Sequence, residues 1–73
     1  MKKVETSVGD LVWIPANTPL MFYYPKERHE FAWRSTEKQE PTYGLIVSEK
    51  EGIFRVIVGT EEFYVQKKEV YGV

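Results

Sequence analysis

Between Tyr23 and Arg34 the sequence gathers Tyr23, Tyr24, Arg28, His29, Phe31, Trp33 and Arg34. Tyrosine, tryptophan and arginine are the residue types that dominate binding hot spots. The rings bury large areas with few rotatable bonds, and a guanidinium offers a rigid fork of donors. The chemistry expected here is recognition. His29 beside Glu27 and Glu30 is the one pairing that suggests acid–base work. A general base also needs an enclosed pocket and a placed substrate, whereas Lys26, Glu27, Arg28 and Glu30 mark a solvated stretch. No catalytic residue is assigned. Ser35-Thr36 lacks an elbow or triad context, and the glutamates do not follow a calcium-loop spacing. The five glycines lie too far apart to cradle a phosphate. With no cysteine and a single histidine, no metal site or cofactor is expected.

The binding set is therefore Trp33 and Tyr24 first, then Arg28, with Tyr23 and Arg34 beside them. Trp13 joins it if Val12 and Ile14 point inward. The competing view is structural: the same aromatics, Phe22 and Phe31 above all, could complete a core that is otherwise too small.

A chain of 73 residues holds one domain at most. It buries only about 60% of its unfolded surface, so it must pack efficiently or borrow burial from a partner. Self-association or a larger assembly would cover the surplus of a chain that is 15% aromatic. Ten Lys and Arg face eleven Asp and Glu, a formal net charge of −1. A duplex-binding protein usually carries a basic surplus or a basic face. Lys2-Lys3 could open a signal peptide, but Glu5, Thr6, Ser7, Gly9 and Asp10 interrupt any apolar h-region. No apolar run approaches the roughly 20 residues of a membrane span. The expected location is cytoplasmic.

The elements that must position these residues are short strands. In Leu11-Val12-Trp13-Ile14, Val12 and Ile14 share one face, and Pro15 ends the strand. Leu20 to Tyr24 is bracketed by Pro19 and Pro25, which suits an extended segment in a long loop or on an edge. A short helical turn could form near Ser35 to Gln39. Tyr43–Ser48, Ile53–Val58 and Glu61–Gln66 follow as an antiparallel meander, joined at Glu51-Gly52 and Gly59-Thr60. Lys67–Glu69 suits one 3₁₀ turn before a last strand from Val70. Val12, Ile14, Ile46, Phe54, Val56, Val58, Phe63, Val65 and Val70 are the expected core. The face of Leu45 against Ile46 is left open. Closure into a small barrel would remove the exposed edges.

Val8-Gly9-Asp10-Leu11-Val12-Trp13-Ile14, Gly44-Leu45-Ile46-Val47 and Phe54-Arg55-Val56-Ile57-Val58 resemble strands of SH3-like small barrels. Phe63-Tyr64-Val65 with Lys67-Lys68-Glu69-Val70-Tyr71 resembles their closing hairpin, 3₁₀ turn and last strand. The cadence is similar to the short SH3-like proteins of tailed bacteriophages, of the myovirus and cyanophage type. More weakly, Phe22 to His29 resembles the long loop of the variable subunit of ferredoxin-thioredoxin reductase, a barrel that carries no redox centre. The resemblance covers about half of the chain. It implies a single all-β domain over residues 1–73, a five-stranded SH3-like barrel with a long loop (16–42) between the first two core strands. It further implies a non-enzymatic protein-binding module, an accessory or structural bacteriophage protein placed in the host cytoplasm or the virion. The alternative is a nucleic-acid-binding barrel, either KOW-like or a single-strand binder that stacks bases on its aromatics.

Overall fold

The computed structural model of the chain describes residues 6–25 and 31–73. Its strands are β1 (Leu11–Ile14), β2 (Leu20–Pro25), β3 (Phe31–Thr36), β4 (Thr42–Lys50), β5 (Ile53–Val58), β6 (Glu61–Gln66) and β7 (Tyr71–Gly72). One 3₁₀ turn, Lys67–Glu69, precedes β7.

Local chemistry explains the tight connections. Glu51 and Gly52 take φ of 52° and 78°, the paired left-handed conformations of a two-residue hairpin between Lys50 and Ile53. Gly59 has φ of 63° and opens the Gly59-Thr60 loop between Val58 and Glu61. The lead-in to β1 is pinned to β4: Gly9 donates its N–H to the Ile46 carbonyl at 2.8 Å, and Ile46 donates to the Asp10 carbonyl at 3.0 Å. After Pro15, the Thr18 hydroxyl donates to the Pro15 carbonyl at 2.7 Å and turns the chain into β2.

All seven strands join one antiparallel sheet in the order β3-β2-β6-β5-β4-β1-β7. The sheet is open. This corrects the expected five-stranded SH3-like barrel, and the physical reason lies at both ends. The free edge of β6, which closure would have used, is taken by β2 at Met21↔Tyr64. β7 has only two residues and pairs with β1 alone. The expected long loop is also corrected: most of its central part is the β2–β3 hairpin, with six registered pairs from Leu20↔Thr36 to Pro25↔Phe31. Ser35 and Thr36 end β3, so no helical turn begins there. The molecule is elongated, 44 × 25 × 20 Å, as befits an open sheet extended by a hairpin.

One face of the sheet carries the core. Val12, Ile14, Leu20, Ile46, Phe54, Val56, Val58, Phe63, Val65 and Val70 form a single buried cluster, with Phe22 packed against it. All nine expected core residues are in it, and Ile46 rather than Leu45 faces inward. Each of β1, β5 and β6 alternates buried with more exposed positions, as period-2 geometry requires. Gly44 also faces inward, and a Cβ there would stand 3.2 Å from both Ile14 Cδ1 and Val56 Cβ. Lys67 lies over the Phe54 ring at 5.6 Å and reaches Glu49 at 3.4 Å, so its aliphatic stem helps to cover the core edge. A bulge between Ile46 and Ser48 shifts the β4 register and leaves Ser48 opposite Arg55.

Candidate functional site

The opposite face carries Tyr23, Trp33 and Trp13 of the candidate binding residues. Tyr23 and Trp33 are direct cross-strand partners, and their ring centroids stand 3.9 Å apart at an interplanar angle of 34°. Tyr64 reaches them from β6, edge-on to Trp33 at 5.1 Å and to Tyr23 at 6.1 Å. Such edge-to-face pairs contribute about 0.5–1.5 kcal/mol beyond the area they bury. The three rings thus hold one another in place across three strands. Tyr23 and Trp33 nevertheless remain 50% and 49% exposed.

Next to the rings is a groove of about 420 Å³ lined by Met21, Trp33, Ser48, Lys50, Glu51, Ile53, Arg55 and Tyr64. Arg55 stands opposite Tyr64 in the β5–β6 ladder. Its Nη1 lies 3.9 Å from a Glu62 carboxylate oxygen, a loose pair. Its Nε is buried with no hydrogen-bond partner among the described residues. That atom is closed to solvent, so an acceptor entering the groove would meet the guanidinium through its Nη groups, on a side chain that is 39% exposed. On the far side of Tyr64 a second groove of about 500 Å³ is lined by Phe22, Tyr23, Lys38, Glu61, Glu62 and Phe63.

The structure brings together only part of the expected set. Trp33 and Tyr23 meet. Tyr24 enters as a backbone position opposite Ala32. Arg34 lies next to Trp33 on β3, and the strand alternation turns it to the other face, opposite Phe22 in the ladder. Trp13 sits five strand positions from β3, half-buried beside Tyr71 with centroids 6.0 Å apart. Arg28 and His29 fall outside the described residues. Tyr64, Arg55, Met21 and Ile53 were not expected in the site. The signal for Tyr64 and Arg55 was present: each is the outward residue between two core residues, Phe63 and Val65 or Phe54 and Val56.

Among the described residues no cluster of three metal-ligating side chains occurs, and no helix is long and apolar enough to cross a membrane. No protein-family model, curated protein or solved structure matches the chain. The likeness to SH3-like proteins of tailed bacteriophages therefore rests on sequence cadence alone. The barrel it implied is replaced by an open sheet, and the bacteriophage attribution is set aside.

Proposed function

We propose that this chain is a non-enzymatic protein-binding module working through the outer face of the β2–β3 hairpin where it meets β6. One observation carries the reading: Trp33 is half exposed yet fixed between Tyr23 and Tyr64. A ring already held in position loses little entropy on binding, which is the property of a hot-spot residue. The neighbouring groove suits an extended protein segment that inserts one apolar side chain and offers a carbonyl or carboxylate oxygen to Arg55. Single-stranded nucleic acid could stack on the same rings beside Lys50 and Arg55, but these cations are offset by Glu51 at the groove and by Glu61 and Glu62 in the second groove, which leaves no basic surplus along a strand's path.

The test compares immobilised wild-type protein with Trp33→Ala in extract of the organism that carries the gene. A specific protein retained by the first and lost by the second is expected. Equal retention by both contradicts the reading. Recovery of single-stranded nucleic acid, with affinity falling steeply as salt rises, would replace it.

A further inference from the structure

A second surface lies on the same face at the other end of the sheet. Leu11, Leu45 and Ile57 are consecutive cross-strand partners on β1, β4 and β5. They are 52%, 39% and 37% exposed. The next row is Tyr71, Trp13 and Tyr43, again in register on β7, β1 and β4. Tyr43 is 57% exposed. An antiparallel sheet with its core on one face usually presents polar side chains on the other. Here neither row contains a charged residue, and the first charge along the aliphatic row is Glu62, beyond Ile57 on β6.

We propose that a second copy of this chain packs on this face, sheet against sheet, about a two-fold axis near Leu45. Three features select a copy of the chain itself. The row reads Leu–Leu–Ile, so a two-fold axis lying in the interface along β4 sets Leu45 against Leu45 and Leu11 against Ile57, and in the next row Tyr43 against Tyr43. A two-fold interface requires this self-complementarity. At their exposures of 52%, 39%, 37% and 57%, Leu11, Leu45, Ile57 and Tyr43 present on the order of 400 Å² per protomer, so two copies with their rims approach the ~1,000 Å² that a specific interface must clear. A net charge of −1 sets up little repulsion between copies. Stacked sheets of this type align their strands within about 30°.

Sedimentation equilibrium on the full chain tests this. Wild-type protein is expected to pass from monomer to dimer as its concentration rises to about 100 μM, the range of a modest interface. Leu45→Lys places two like charges at the axis and should weaken the dimer about 30-fold or more, with circular dichroism unchanged. Trp33→Ala should leave the dimer intact, which separates this surface from the binding site proposed above. If Leu45→Lys fails to fold, a thiol-specific crosslinker gives the answer on a milder variant, because the chain has no cysteine of its own. Leu45→Cys should then yield covalent dimer and Lys68→Cys none. A wild type that stays monomeric, or equal crosslinking of both cysteine variants, overturns the proposal.

Discussion

Tyr23 and Trp33 stand directly opposite each other in the β2–β3 ladder, with ring centroids 3.9 Å apart. Their contact ties the hairpin's outer face together, and Tyr64 ties that face to the meander. If the three rings act as a unit, Trp33 and Tyr64 are energetically coupled. A double-mutant cycle with Trp33→Ala and Tyr64→Ala should give a coupling of about 0.5–1.5 kcal/mol in urea denaturation. Strict additivity would mean that the hairpin docks without help from the rings.

Gly44→Ala should destabilise the fold. The new methyl meets Val56 Cβ and Ile14 Cδ1 at 3.2 Å and Val58 Cγ2 at 3.4 Å. The Ile14 methyl can shift, but Val56 Cβ is fixed to its backbone. A loss of about 1–3 kcal/mol is expected from overpacking. No loss on chemical denaturation would show that β4 and β5 separate easily at this point.

The opposite sign is expected at the β4–β5 turn. Glu51 holds φ of 52°, a conformation that asparagine tolerates better. Glu51→Asn should raise stability by about 0.5–1 kcal/mol, read as an increase in melting temperature. A decrease would mean that the Glu51 side chain contributes more than its backbone strain costs.

Val56→Ala removes two methyl groups from a fully buried position. The loss should be about 2 kcal/mol or more from transfer and cavity together. Lys38→Ala breaks a pair with Glu61 whose side chains are 40% and 60% exposed and removes the cation over the Phe63 ring at 5.5 Å, so its effect should stay within about 1 kcal/mol. Comparable losses from the two substitutions would mean that the face assignments are wrong.

The meander was legible in the sequence because Phe54, Val56 and Val58 on β5 and Phe63 and Val65 on β6 alternate with outward residues and each turn contains a glycine. Phe54, Val56 and Val58 on one face, with Arg55 and Ile57 on the other, leave one workable orientation. The hairpin was not legible. Leu20 to Pro25 is bounded by prolines, Phe31 to Thr36 mixes Arg34 and Ser35 among its aromatics, and no glycine marks a turn between them. Without that hairpin, β6 is left to find a partner at the far end of the chain, and a closed barrel follows. Edge logic correctly says that β6 requires a neighbour, but it cannot say which segment supplies it. The candidate site was half legible for the same reason. Trp33 and Tyr23 stand out by type, whereas Tyr64 and Arg55 become site residues only once β2 lies beside β6.

The central claim is that Trp33 serves recognition rather than the core, and paired measurements on Trp33→Ala test it most directly. Melting is compared with wild type, and the recovered partner is titrated calorimetrically into each protein. The account predicts a fall in melting temperature of no more than about 10 °C, the amount the Tyr23 and Tyr64 ring contacts supply, and a binding loss by the folded protein of about 2 kcal/mol or more, on the order of 30-fold in affinity. A variant that melts far lower while its folded fraction binds the partner normally would contradict it.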